Sequence, residues 1–276
     1  MNFEGRVEVA PGRHLWLRDE GQGEPVLILH GFTGSGASMT AVAHGLPAGF
    51  RALTVDLLGH GRSDAPKDPE PYRMEVCVRD LAAALDARGV PSAHLVGYSM
   101  GARIALGFGV LAPDRVRSLA LVGARAGIAG DAERAERVRS DEALAHDIES
   151  RGLDWFVDHW MGLPLFASQA RLGADALAEA RAARLRNRPE GLAASLRGIG
   201  AGAQPAFFGD LAAVDAPTLL VTGSEDPRFA AVARELAEAM PDAVAVSVPD
   251  AGHAAHLEQP ARFGELLGDF LLRQRR

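Results

Sequence analysis

The chain has 276 residues, of which 47% are hydrophobic, and it carries a formal net charge of −7 and a single cysteine. The negative charge argues against nucleic acid or an anionic membrane as a partner, and one cysteine cannot form an internal disulfide. No apolar run reaches the roughly 18 residues that a membrane span needs. The N-terminal segment lacks the pattern of a signal peptide. We therefore expect a cytoplasmic protein with one large core.

Six short apolar runs predict the strands of a parallel sheet. They occupy residues 26–29, 52–56, 94–98, 118–122, 218–222 and 244–248. Runs that are apolar throughout are typical of strands buried on both faces. Helical patterns at 74–88, 101–111, 228–240 and 260–273 alternate with them, and a hairpin is expected over 6–18 at the sheet edge. This alternation predicts an α/β fold whose functional side chains lie on loops at the carboxyl ends of the strands.

The alternation stops between residues 126 and 204. Amphipathic helical patterns there cover 131–147, 152–160, 174–186 and 190–197. We expect this segment to be a helical cap, inserted into a core that comprises 1–125 and 205–276. A cap over the carboxyl edge of the sheet would close a pocket and shape its specificity.

A candidate nucleophile follows the third apolar run. Gly97-Tyr98-Ser99-Met100-Gly101 matches the pattern G-x-S-x-G and stands between a predicted strand and a predicted helix. Such a turn is sharp and strained, so it requires small residues two positions before and after the serine. The pattern alone is common, but in this context it indicates a catalytic serine.

A base and an acid follow in the order that this fold uses, which is serine, acid, histidine. His253 follows the sixth run, and Asp226 follows the fifth. A carboxylate there would hold the imidazole in the tautomer that accepts the serine proton. Glu225 and Asp250 are competing acids, but we expect Glu225 to point elsewhere and Asp250 to be too close in the chain to His253.

Two backbone N–H groups are the expected oxyanion hole. One belongs to Met100, the residue after the nucleophile, and the other to the loop after the first apolar run, at Phe32. Backbone donors do not depend on side-chain identity, so this prediction depends only on the position of each loop in the fold.

Five motifs carry a resemblance that covers nearly the whole chain. They are His30-Gly31-Phe32-Thr33-Gly34-Ser35, Gly97-Tyr98-Ser99-Met100-Gly101-Ala102-Arg103, Leu163-Pro164-Leu165-Phe166-Ala167-Ser168, Gly200-Ala201-Gly202-Ala203-Gln204-Pro205 and Ala251-Gly252-His253-Ala254-Ala255-His256. Together they resemble 2-succinyl-6-hydroxy-2,4-cyclohexadiene-1-carboxylate synthase of menaquinone biosynthesis, an α/β-hydrolase-fold family. The serine and histidine motifs are shared with many other functions of the fold, whereas the two motifs of the cap are far more specific.

The resemblance implies a lyase that eliminates pyruvate from an enolpyruvyl cyclohexene precursor, with Ser99 as the base and without metal or cofactor. The substrate would be a small polycarboxylate with three carboxylates, and the protein a monomer or weak homo-oligomer. The residues that the resemblance implies for substrate binding are Tyr98, Arg103, Arg137, Trp160 and Arg186.

Two alternatives remain at this point. A hydrolase of esters, or of carbon–carbon bonds in ring-cleavage products, would use the same triad, whereas a non-catalytic receptor would not need all three groups. In addition, Arg125 lies in the loop after the fourth run, where an arginine is unusual for the family that this chain resembles. It is consistent either with an added carboxylate contact or with a changed substrate.

Overall fold

The computed structural model describes residues 2–275. The strands are β1 (Phe3–Ala10), β2 (Arg13–Gly21), β3 (Glu24–Leu29), β4 (Phe50–Asp56), β5 (Ala93–Tyr98), β6 (Val116–Val122), β7 (Thr218–Gly223) and β8 (Ala243–Val248). The helices are α1 (Thr40–His44), α2 (Met74–Asp86), α3 (Met100–Leu111), α4 (Asp131–Met161), α5 (Ala174–Arg184), α6 (Pro189–Ile199), α7 (Pro227–Ala239), α8 (Ala255–Glu258) and α9 (Pro260–Arg273).

Within these residues the strands form one sheet in the order β1-β2-β4-β3-β5-β6-β7-β8. β2 is antiparallel to both of its neighbours, and the pairs from β4 to β8 are parallel. The predicted mostly parallel α/β fold is confirmed, with the predicted hairpin as β1 and β2 at one edge. The carboxyl ends of β3, β5, β6, β7 and β8 therefore meet along one rim of the sheet.

The central strands are buried on both faces, as their apolar sequences predict. In β3, Leu27 and Ile28 are both 0% exposed and belong to different apolar clusters, one on each side of the sheet. β8 differs, because Val244 is 51% exposed. This strand has β7 as its one partner at the sheet edge, so an apolar run does not by itself indicate burial on both faces.

The segment between β6 and β7 is helical and packs its own apolar cluster. Ile148 and Phe156 of α4 belong to this cluster together with Leu192 of α6, and Phe32 of the loop after β3 packs against it. Gly152 interrupts α4 with a φ of 83°, so the two predicted helices at 131–147 and 152–160 are its two halves. Among the helices of the described chain, none is long and apolar enough to cross a bilayer.

One amide side chain ties this segment to the loop after β3. Asn187, between α5 and α6, is 6% exposed. Its Nδ2 donates to the carbonyl of Thr33 at 2.8 Å, and its Oδ1 accepts from the N–H of Gly61 at 2.9 Å. Thr33 has a φ of 70°, a conformation that costs a non-glycine residue energy and persists only where the surroundings hold it.

Replacing this amide by a hydrocarbon of similar size is expected to destabilise the protein. Asn187→Leu would leave the Gly61 N–H and the Thr33 carbonyl without partners, and each buried unpaired group costs about 1–3 kcal/mol. We expect the free energy of unfolding in urea to fall by about 2–4 kcal/mol. The matched control is Gln22→Leu at an exposed turn, where the change should stay within about 0.5 kcal/mol. Equal effects in both variants would contradict the proposed contribution of these two bonds.

Candidate active site

Ser99 lies on a strained turn between β5 and α3. Its backbone has a φ of 51° and a ψ of −107°. A Cβ added to Gly97 would lie 2.4 Å from the carbonyl oxygen of Gly101, and a Cβ added to Gly101 would lie 2.3 Å from that of Leu29. The turn therefore requires both glycines, as the sequence pattern predicts, and it places the serine at the beginning of a helix.

His253 lies between Ser99 and Asp226. Its Nε2 is 3.1 Å from the Oγ of Ser99, and its Nδ1 is 2.9 Å from Oδ2 of Asp226. Both members of the His–Asp pair are buried, at 3% and 7% exposure. Oδ1 of Asp226 accepts from the N–H of Phe229 at 3.1 Å, which fixes the carboxylate at the beginning of α7. This geometry suits proton transfer from the serine hydroxyl to the imidazole.

The two competing acids, Glu225 and Asp250, make their hydrogen bonds to residues other than His253. Glu225 is exposed and pairs with Arg171 at 3.0 Å. Asp250 is also exposed, and its backbone N–H donates to Ser224 Oγ at 3.1 Å. The acid in contact with His253 is therefore Asp226.

The imidazole ring of His253 is held by close neighbours on its faces and edges. A Cβ added to Gly123 would lie 2.7 Å from Cε1 of the ring, so this position leaves room for no side chain. The centroid of the Phe229 ring is 4.5 Å away, and that of Tyr98 is 5.5 Å away. Such packing keeps the ring in the orientation that reaches both hydrogen-bonding partners.

Phe32 and Met100 both line the cavity of about 210 Å³ into which Ser99 opens. Within residues 2–275 neither backbone N–H donates a hydrogen bond. His30 holds the loop that carries Phe32, because its Nε2 accepts from the N–H of Leu57 at 3.0 Å while its Nδ1 is 2.8 Å from the carbonyl of Gly31. This pattern requires a neutral imidazole with the proton on Nδ1.

The same cavity is rich in guanidinium groups. Arg103 donates from Nη1 to the carbonyl of Ile199 at 2.9 Å and to Oε1 of Gln204 at 2.8 Å, both of which are neutral acceptors. Burial lowers the pKa of Arg103 to about 10, and the charge of Arg137 acts in the same direction. Arg137 pairs with Asp141 at 2.7 Å. The cavity therefore carries positive charge that the protein neutralises only in part, which favours an anionic ligand.

Known proteins share this fold. A family model described as alpha/beta hydrolase fold matches residues 24–260. A Bacillus subtilis (strain 168) protein, provisionally named 2-succinyl-6-hydroxy-2,4-cyclohexadiene-1-carboxylate synthase, is 40% identical over 96% of this chain and 97% of its own length. The synthase of the same name from Serratia proteamaculans (strain 568) is 30% identical over 91% of this chain and 96% of its own.

Solved structures of related proteins also superpose on this chain. The structure of MenH from S. aureus superposes with a TM-score of 0.89 at 28% identity, covering 94% of this chain and 98% of that one. A thermophilic esterase from Thermogutta terrifontis gives a TM-score of 0.85 at 27% identity, with complete coverage of both chains. The chain belongs to the 2-succinyl-6-hydroxy-2,4-cyclohexadiene-1-carboxylate synthase family. It is thus an enzyme of a lyase family built on the α/β-hydrolase fold, and the resemblance seen in the motifs is confirmed.

The resemblance implied five residues for substrate binding, and not all of them line the cavity that contains Ser99. Arg103, Arg137 and Trp160 line it. Tyr98 is not among the lining side chains, and its ring packs against His256 with centroids 4.4 Å apart. Arg186 is exposed and lines a different cavity, beside Trp16 and the β1–β2 hairpin. The structure does not bring Arg186 to the cavity of Ser99, since Arg186 lies beyond the end of α5 at Arg184.

Two arginines were missed by sequence reasoning. Arg184 is partly buried, its charge acts on the phenol of Tyr98, and its Nε has no hydrogen-bond partner in the described chain. Burial lowers the pKa of Arg184. Arg228 lines the cavity of Ser99. The position of Arg228 two residues after Asp226, at the beginning of a predicted helix, was a signal that could have found it, whereas the sequence carried no comparable signal for Arg184.

Buried neutral histidines around the site predict a loss of stability in acid. Burial lowers the pKa of His30 to about 4 and that of His60 and His256 to about 3, from 6.5. Each therefore takes up a proton on unfolding between about pH 6.5 and its folded pKa, so stability is full above pH 6.5 and is lost as the pH falls. Each such group contributes a slope of about 1.4 kcal/mol per pH unit.

The slope is measured by urea unfolding between pH 6.5 and 4. His60→Gln should reduce it by about 1.4 kcal/mol per pH unit, since one proton fewer is taken up. His44→Gln, at a side chain that is 63% exposed, is the matched control and should leave the slope unchanged. An unchanged slope in His60→Gln would show that His60 is protonated in the folded protein.

Proposed function

We propose that this enzyme eliminates pyruvate from 2-succinyl-5-enolpyruvyl-6-hydroxy-3-cyclohexene-1-carboxylate to give 2-succinyl-6-hydroxy-2,4-cyclohexadiene-1-carboxylate in menaquinone biosynthesis. The observation that carries the proposal is one cavity holding both the Ser99–His253 pair and guanidinium groups without carboxylate partners. The names of the relatives support it. A precursor with three carboxylates matches such a cavity in charge.

The positions of the ring double bonds in the precursor and in the product define which bonds the reaction breaks and forms. The precursor has one ring double bond, at C3, and the product has two, at C2 and C4, so a proton leaves C2 while the carbon–oxygen bond at C5 breaks. The C2 proton is adjacent to the succinyl ketone, which makes it acidic. His253 accepts the Ser99 proton as the serine oxygen takes the C2 proton, and Asp226 stabilises the imidazolium. The enolpyruvyl group departs as the enolate of pyruvate, which takes up a proton at its methylene carbon and becomes pyruvate.

The negative charge that develops on the succinyl ketone needs hydrogen-bond donors. The backbone N–H groups of Phe32 and Met100 donate no hydrogen bond in the described structure, and both residues line the cavity. Fixed donors of this kind stabilise an enolate as they do a tetrahedral intermediate, because they need no rearrangement during the reaction. Asn187 keeps the first of these loops in place through Thr33.

The remaining parts of the site would bind and enclose the substrate. Arg103 and Arg137 would pair with carboxylates, for which the planar guanidinium fork is suited. Trp160 contributes an apolar wall, and Arg184 beside Tyr98 adds a further cation close to the serine turn. Residues 126–204 act as the cap over a core of 1–125 and 205–276 and exclude water from the reaction.

The carboxylate of Asp226 can be tested against its neighbour in the chain. Asp226→Asn should lower kcat for pyruvate release by about 10³- to 10⁴-fold, because the imidazole loses the partner that sets its tautomer. Glu225→Gln makes the same chemical change one residue away, at a side chain that does not contact His253, and should keep kcat within about 2-fold. Pyruvate is measured by coupling to lactate dehydrogenase. Comparable losses in both variants would contradict the assignment of Asp226 as the acid.

A hydrolase of esters is the second candidate, because the structurally similar esterase shows that this fold also supports ester chemistry. Arg103→Gln separates the two. If the enzyme acts on the polycarboxylate, this variant should lower kcat/KM for pyruvate release by about 10- to 100-fold, as expected for a lost charged hydrogen bond. Hydrolysis of 4-nitrophenyl acetate, which has no carboxylate, serves as the control and should change little. Rapid ester turnover without pyruvate release by the parent enzyme would favour the hydrolase.

A further inference from the structure

Arg125 and Arg228 enter the cavity from two neighbouring loops. Arg125 lies three residues after the end of β6, and Arg228 lies five residues after the end of β7, in the first turn of α7. β6 and β7 are adjacent and parallel, so their carboxyl ends bring both loops to the same part of the rim. Both arginines line the cavity that contains Ser99 and His253.

Neither of these arginines has a carboxylate partner among residues 2–275. The Nε of Arg125 donates to the carbonyl of Gly127 at 3.1 Å. For Arg228 the described chain provides no hydrogen bond and no ion pair, whereas Arg137 in the same cavity has Asp141. Partial burial lowers the pKa of Arg125, the positive charges of Arg228 and Arg137 lower it further, and Glu133 has a smaller opposing effect. Two like charges with little compensation cost the folded protein energy that an anion between them would recover.

The four guanidinium groups of the cavity fall into two pairs by how the protein anchors them, Arg103 with Arg137 and Arg125 with Arg228. Their charges also act between the pairs, since Arg125 lowers the pKa of Arg103 and Arg137 lowers that of Arg125. The first pair is anchored by Gln204 and Asp141. The second pair has no comparable side-chain anchor in the described structure, so more of its N–H donors are available to a ligand.

We propose that Arg125 and Arg228 form a carboxylate subsite on the side of the cavity next to His253, separate from the Arg103–Arg137 pair. Both loops contact the imidazole, because Gly123 lies against the ring and the centroid of the Phe229 ring is 4.5 Å from that of His253. The inference rests on the proposed function and extends it. The enzyme selects substrates that carry at least two carboxylates, each held by its own guanidinium pair, and Arg125 supplies an added carboxylate contact.

Binding of tricarballylate, a simple tricarboxylate, tests the subsite without any turnover. The Kd is measured by isothermal titration calorimetry at constant ionic strength for the parent, Arg125→Gln, Arg228→Gln and the double variant. Each single variant should weaken binding by about 10-fold or more. The double variant should lose little beyond the singles, because both guanidinium groups share one carboxylate. Arg234→Gln makes the same charge change on the exposed part of α7 and should stay within about 2-fold.

Three results would overturn the proposal. Tricarballylate could fail to bind the parent at millimolar concentration, or both single variants could bind it as the parent does. Thirdly, the melting temperature of the free variants could fall by many degrees, which would make the arginines structural, since removing a repelling charge should leave stability equal or higher. The binding measurement needs no reaction. If the parent enzyme released no pyruvate, the proposed reaction would be contradicted. The measured affinities would still decide whether the subsite exists.

Discussion

The imidazole of His253 is the group on which the rest of the site depends. It bridges Asp226 at 2.9 Å and Ser99 at 3.1 Å, and these two partners come from parts of the chain that are 27 and 154 residues from the histidine. The parallel strands make the meeting possible, because all of their carboxyl ends open on one rim. Side chains as small as a methyl group are excluded beside the ring at Gly123, so the fold fixes the orientation as well as the position.

This triad does not by itself distinguish a lyase from a hydrolase. The same three groups can activate a serine as a nucleophile or as a base, and the structurally similar esterase shows how little of the fold need change. What distinguishes this cavity is its charge. Arg103 is anchored by a carbonyl and an amide rather than by a carboxylate. Neutral acceptors orient a guanidinium without cancelling its charge, so the attraction for an anion is kept.

Much of the fold and of the triad could be predicted from the sequence, because both depend on local patterns. Continuous apolar runs mark buried strands, and the glycines around Ser99 mark a turn that no larger residue fits. The same reasoning failed where the outcome depends on packing. It placed Arg186 at the site, although Arg186 lines a different cavity, because side-chain direction at the end of a helix changes by about 100° per residue. It also treated β8 as fully buried, although its position at the sheet edge leaves Val244 half exposed.

Asn187 links the enclosing segment to the chemistry. A single amide satisfies the carbonyl of Thr33 and the N–H of Gly61 at once, and Thr33 follows directly after Phe32, which lines the cavity. The left-handed backbone of Thr33 costs energy and is retained only if its surroundings hold it. Part of that support comes from residues between α5 and α6 and not from the sheet. The segment between β6 and β7 therefore helps to define the backbone of the loop that carries Phe32, and it does so through one buried amide.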